Sequence, residues 1–208
     1  MTPPSDRSLA QRLEGLNLYL VGMMGTGKSA LGQPLAEALG YRFIDADTTV
    51  EQVAQRSISE IFASDGEASF RALETAVLNQ IASWHSLVVA TGGGVVTRQE
   101  NWGHMRQGVV IWLDAPTGLL LERIAADPTP RPLMQNPDPA AHLAELLGER
   151  QPLYAQADLR IEQQGEPPEQ VAAMVLEALP SILKERASAP ETPVLLNNAD
   201  GAITQSLN

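Results

Sequence analysis

The stretch GMMGTGKS, Gly22 to Ser29, constrains the fold more than any other part of the chain. It fits G-x-x-x-x-G-K-[ST] at every fixed position. It lies between an apolar strand-like run, LNLYLVG (Leu16 to Gly22), and a helical stretch from Lys28 to Leu39 stopped by Gly40. Glycines at these positions let successive backbone N–H groups turn toward phosphate oxygens, and the following helix N-terminus adds its dipole. Lys28 then supplies a point charge to the terminal phosphates, and the Ser29 hydroxyl can ligate Mg²⁺. The strand before and the helix after are the context that gives the spacing its meaning.

Strands and helices alternate along the rest of the chain. YRFIDAD (Tyr41 to Asp47) reads as the second strand, SLVVATG (Ser86 to Gly92) as the third, GVVIWLDA (Gly108 to Ala115) as the fourth and ADLRIE (Ala157 to Glu162) as a short fifth. Helical periodicity covers Thr48 to Ser83, with breaks near Ser57 and at SDGEAS. Further helices run from Pro116 to Ala126, Ala140 to Arg150 and Pro167 to Leu183, the last with Pro180 as a candidate early stop or kink. DPTPRPLMQNPDP holds five prolines in thirteen residues, which rules out regular structure there. The alternation implies an α/β fold, a parallel sheet covered on both faces by helices. A single domain is expected over residues 1–186, with residues 1–8 disordered and 187–208 a loosely attached tail. In such sheets ligands sit at the carboxyl ends of the strands.

Composition removes several function classes. A net charge of −11 repels phosphate backbones and anionic lipid, so neither nucleic acid nor membrane is an expected partner. Cysteine is absent and only three His are present, which excludes thiol chemistry and makes a His-based metal site improbable. The polar N-terminus lacks the apolar segment of a signal peptide, so a cytoplasmic location is expected.

Several residues near strand ends carry candidate chemistry. Asp45 and Asp47, two apart in FIDAD, can share a face. One could hold a Mg²⁺ shell while the other receives a hydroxyl proton; capping a helix is the plain alternative. The Pro-rich segment, about 126–139, is the natural lid, and its Arg131 can close on phosphates and steady the transferring group. Arg71 lies three residues before Glu74. The pair is either a surface salt bridge or a fixed guanidinium fork for a substrate carboxylate. Arg150, before Pro152, either complements a helix C-terminus or binds an anion. Gly92 to Gly94 follow the third strand, and three bare residues suggest that something approaches the backbone closely. No N-K-x-D base-reading motif accompanies the phosphate loop, which disfavours a GTP switch.

Taken in order, GMMGTGKS, FIDAD, FR..E, TGGG, RPL and ER.PLY resemble the shikimate kinase family over roughly Leu16 to Leu183. The resemblance implies a three-layer α/β/α fold of the nucleoside monophosphate kinase type, with a five-stranded parallel sheet in the order 2-3-1-4-5. It implies transfer of the γ-phosphoryl of ATP to the 3-hydroxyl of shikimate by a monomer. The implied catalytic residues are Lys28, Asp47 and Arg131. The implied ATP contacts are Gly25, Thr26, Gly27, Lys28, Ser29 and Ala30, with Arg131 from the lid. Shikimate would meet Asp47, Arg71, Gly93, Gly94 and Arg150, between walls of Phe62, Phe70 and Pro132. Mg²⁺ would be held by Ser29 directly and by Asp45 through water. The lid departs from some relatives in carrying Arg131 as its sole basic residue. Gluconate kinase, or another small-metabolite kinase of the same fold, is the alternative.

Overall fold

The computed structural model describes residues 8–127 and 138–188. Its sheet has five parallel strands: β1 (Leu18–Val21), β2 (Arg42–Asp45), β3 (Leu87–Ala90), β4 (Val109–Asp114) and β5 (Leu159–Glu162). They lie in the order β2-β3-β1-β4-β5. β1 and β3 are buried along their whole length, which is why they read as unbroken apolar runs rather than alternating ones.

The helices are α1 (Leu9–Leu13), α2 (Lys28–Leu39), α3 (Ala46–Ala54), α4 (Ile58–Ala82), α5 (Gln99–Met105), α6 (Thr117–Ala126), α7 (Pro139–Tyr154) and α8 (Pro168–Ser188). Strand periodicity divides the core between the two faces. Tyr19, Val21, Val89, Val110 and Trp112 pack with Val50, Ile61, Phe70, Leu78, Trp102 and Tyr154. Their neighbours Leu18, Leu20, Val88, Ile111 and Leu113 pack instead against Leu31 and Leu35 of α2 and Val175 and Leu179 of α8. Among the described residues no helix is long and apolar enough to cross a membrane.

Four features depart from the sequence reading. β2 stops at Asp45, and Asp47 belongs to the first turn of α3. The reason is capping: the Asp45 carboxylate accepts the Thr48 N–H at 3.1 Å, so the chain turns into a helix at once. α7 runs past Arg150 and through Pro152 to Tyr154. A proline costs a helix one N–H, but here the last turn is fastened by the burial of Tyr154. α8 passes Pro180 without ending, and Arg12 of α1 donates to the Pro180 carbonyl at 3.2 Å. α1 itself, with a Ser8–Gln11 capping box, lies where the sequence reading saw only the end of a polar leader.

The two expected breaks in the 48–83 region are present. α3 ends at Gln55 in a left-handed conformation, and Ser57 caps α4 with Glu60 in a reciprocal box. Inside SDGEAS, Gly66 has φ 80 and ψ 170, which kinks α4 between its pocket-side first turns and its long packed remainder.

Candidate active site

The phosphate loop hangs between β1 and α2. Gly27 caps α2 at φ 84, a conformation that costs other residues, and leaves the first-turn N–H groups facing outward. The Lys28 ammonium lies over the loop, donating to the carbonyls of Gly22 and Met23 at 2.9 Å each. The loop is braced from β5: Gln163 donates to the Thr26 carbonyl at 2.8 Å. Arg123 donates to the Gln163 side chain at 3.1 Å and to the Gly25 carbonyl at 3.2 Å. Gln163 is buried and carries no sequence signal, because no spacing rule links a residue after the fifth strand to a loop after the first.

Ser29 and Asp45 meet at the mouth of this loop, where the Ser29 hydroxyl donates to Asp45 Oδ2 at 2.5 Å. Asp45 does cap α3, with one oxygen on the Thr48 N–H, while its other oxygen accepts from Ser29. Asp47 approaches from α3. Burial, with Asp45 and Glu74 nearby, pushes its carboxyl up to about 6, against the pull of Lys28 and Arg71.

Arg71 and Glu74 form a buried pair, not a surface salt bridge. Arg71 Nη1 donates to Glu74 Oε2 at 2.8 Å, and Nη2 reaches Glu67 at 3.1 Å. Its guanidinium also lies 5.0 Å from the centroid of the Phe70 ring. Burial pushes the Glu74 carboxyl up, with Arg71 pulling the other way. Glu74 Oε1 is buried without a hydrogen-bond partner. Arg150 is buried on α7, a full turn before that helix ends, so capping is not its role. Its Nη1 has no hydrogen-bond partner. A buried guanidinium nitrogen left unpaired is costly and marks a place where an anion is expected.

The three glycines after β3 serve their neighbours differently. A Cβ on Gly92 would stand 2.8 Å from both Asp47 Oδ1 and Glu74 Oε1, and one on Gly94 would stand 2.2 Å from Arg71 Nη2. At Gly93 a Cβ would meet the backbone of Met24, Gly22 and Met23, at 3.4, 3.5 and 3.8 Å. The run is bare chiefly because charged side chains lie across it.

Two cavities meet here. One, of about 450 Å³, runs from the phosphate loop past Arg123 and Gln163 to Pro168 and Val171. The other, of about 550 Å³, is lined by Phe62, Phe70, Arg71, Glu74, Gly92 to Gly94 and Arg150. Met24, Ser29, Asp45, Asp47, Gly93 and Asp127 line both. Every expected site residue except Arg131 and Pro132 therefore lines one of the two cavities at the carboxyl edge of the sheet. Arg131 and Pro132, with residues 128–137 of the lid expected over about 126–139, lie outside the described residues.

A family profile described as "Shikimate kinase" matches residues 24–180. A shikimate kinase of Synechococcus sp. strain RCC307 is 56% identical over 191 residues, covering 91% of this chain and 97% of that protein. The structure of a shikimate kinase from Acinetobacter baumannii in complex with shikimate superposes with a TM-score of 0.79 at 39% identity, covering 82% of this chain and 96% of that one. A gluconokinase from Sinorhizobium meliloti also superposes, over 83% of this chain and 96% of its own, with a TM-score of 0.51. At 17% identity it shares the fold alone.

Proposed function

The chain belongs to the shikimate kinase family, and from that premise we propose how its own residues divide the work. The activity is transfer of the γ-phosphoryl group of ATP to the 3-hydroxyl of shikimate, giving shikimate 3-phosphate and ADP. Such a transfer has a loose transition state, so the protein contributes mainly position and charge.

ATP occupies the cavity over the phosphate loop, with its phosphates on the N–H groups and side chains of Gly25, Thr26, Gly27, Lys28, Ser29 and Ala30. Lys28 leaves the loop carbonyls for the phosphate oxygens, exchanging neutral partners for charged ones. Shikimate occupies the second cavity. Arg71 and Arg150 clamp its carboxylate, and Gly93 and Gly94 face its ring hydroxyls. Asp47 accepts a hydrogen bond from the 3-hydroxyl. As the new O–P bond forms and the bond from the γ-phosphorus to the departing ADP oxygen breaks, Asp47 takes the hydroxyl proton. The raised affinity of its carboxyl for a proton suits it to that task. Arg131, from the lid, would steady the charge on the transferring group.

Ser29 and Asp45 suit Mg²⁺. One hydroxyl and one carboxylate beside a phosphate site match an ion that keeps several of its waters and is rarely caged by protein alone. Bound there, the ion would neutralise charge on the phosphates. The acidic surface of the chain, −11 in net charge, supports small molecules rather than nucleic acid or membranes as its ligands.

The observation that carries this reading is the unpaired, buried nitrogen of Arg150 in a cavity that shares Ser29, Asp45, Asp47 and Gly93 with the nucleotide cavity. The test is ADP release from Mg²⁺–ATP with shikimate or gluconate as acceptor. Turnover with shikimate is expected. Comparable turnover with gluconate and none with shikimate would overturn it.

A further inference from the structure

The segment from Gly92 to Val96 has a hydrogen-bond donor on every carbonyl. Val95 N–H donates to Gly92 at 3.1 Å, and Thr97 donates to Gly94 through its N–H at 3.1 Å and its hydroxyl at 2.7 Å. Asn101 donates to Val95 at 2.8 Å, and the Trp102 indole to Val96 at 3.0 Å. All these donors come from the next few residues. The Gly93 carbonyl is the exception: it accepts from the Tyr154 hydroxyl at 2.5 Å, across 61 residues of chain. One turn earlier in α7, the Arg150 guanidinium lowers the proton affinity of that hydroxyl, against the larger push of burial.

We propose that Tyr154 is a positioning residue that ties the carboxylate clamp to the glycine floor of the acceptor site. A peptide unit is planar and trans, so holding the Gly93 carbonyl toward Tyr154 points the Gly94 N–H the opposite way. Among the described residues neither the Gly93 nor the Gly94 N–H makes a hydrogen bond, which leaves both for an acceptor molecule. One hydroxyl thus sets the orientation of that floor, from the same helix that carries Arg150. The ring itself is fixed independently, fully buried and stacked on Trp112 at 6.0 Å between centroids. Removing the oxygen alone therefore spares the packing.

The inference rests on the acceptor assignment above, and its test separates the two. Tyr154→Phe should raise the KM for shikimate roughly tenfold while leaving the KM for ATP within about twofold, with the thermal midpoint lowered only by the loss of one hydrogen bond. Combined with Arg150→Lys, its effect should be clearly less than additive, because the two residues hold neighbouring parts of one acceptor site. Wild-type kinetics in the Phe variant would overturn the proposal. So would strict additivity, or a parallel rise in both KM values with a thermal midpoint lowered by more than that one hydrogen bond, which is the mark of mere packing. Absence of shikimate turnover in the wild-type enzyme, run alongside, would refute the acceptor assignment instead.

Discussion

Arg71 lies directly across Gly94: a Cβ on that glycine would stand 2.2 Å from Nη2 and 2.5 Å from Cζ. The guanidinium is held there by Glu74 and Glu67, so it cannot yield freely. Gly94→Ala should therefore push Arg71 out of line and raise the KM for shikimate roughly tenfold or more. Because that guanidinium is buried and paired with Glu74, the thermal midpoint should fall as well. Gly93→Ala is the informative contrast. Its Cβ would make ordinary contacts with the phosphate loop, and steady-state kinetics should show the smaller effect on the shikimate KM. A Gly93 variant worse than the Gly94 variant would mean that the ligand, not Arg71, dictates the bare backbone.

A charged Asp47 is costly to the empty fold. Its carboxyl is raised to about 6 from an ordinary value of 3.8. The folded state thus holds the proton longer than the unfolded one. The resulting stabilisation is full below about pH 4 and is lost as pH rises toward and through about 6. Asp47→Asn removes the charge, so the variant should be the more stable of the two at pH 7, by about 1–3 kcal/mol. It should also lack the proton acceptor, losing 10²-fold or more in kcat, as is typical when a general base is removed. Thermal melts of both proteins from pH 4 to 7, with ATP titrations, check this. Parallel pH profiles would discard the electrostatic cost, and loss of ATP binding would move Asp47 to the metal side.

Much of this site was legible because its signals are local. GMMGTGKS states its function in eight adjacent residues, and FIDAD places two carboxylates at a strand end. What the sequence concealed is long-range. Nothing in the one-dimensional pattern says that Gln163 braces Thr26, or that Tyr154 holds the Gly93 carbonyl. A buried glutamine and a tyrosine near a helix end look like ordinary core. The strand–helix boundary at Asp45 was missed for a different reason: an aspartate that caps a helix and one that ends a strand have the same sequence appearance until Thr48 is seen beneath the carboxylate. Likewise Pro152 and Pro180 predict helix ends by their local cost, and tertiary packing outweighs that cost in both places.

Ser29 gives a test of the metal site that does not depend on the acceptor. Its hydroxyl is bonded to Asp45, yet the Asp45 cap on Thr48 uses the other oxygen and survives the loss of Ser29. Ser29→Ala should therefore fold normally and raise the Mg²⁺ concentration for half-maximal rate by roughly tenfold, with partial rescue at high Mg²⁺. A chelator in excess should abolish wild-type turnover. An unchanged Mg²⁺ requirement in the variant would remove Ser29 from the ion's shell.

Gly66 separates the first turns of α4 from its packed body, and both parts line the cavity proposed for the acceptor. Ile58, Ser59 and Phe62 line that cavity from the first turns of the helix, whereas Arg71 and Glu74 lie beyond the kink. At φ 80 and ψ 170 the backbone occupies a region open essentially to glycine alone. There is room for a methyl group, since nothing lies within 4 Å of a Cβ at this position, so a substitution acts through conformation and not through a clash. Gly66→Ala should cost about 1–3 kcal/mol, or else straighten the helix and turn the wall away from Arg71. In either case the KM for shikimate should rise more than the KM for ATP. Gly148→Ala is the matched control: that glycine is exposed inside α7, also with nothing within 4 Å, and alanine there should be neutral or stabilising by up to about 1 kcal/mol. Equal behaviour of the two variants in thermal melts and in shikimate kinetics would mean that the kink at Gly66 does not set the shape of the pocket.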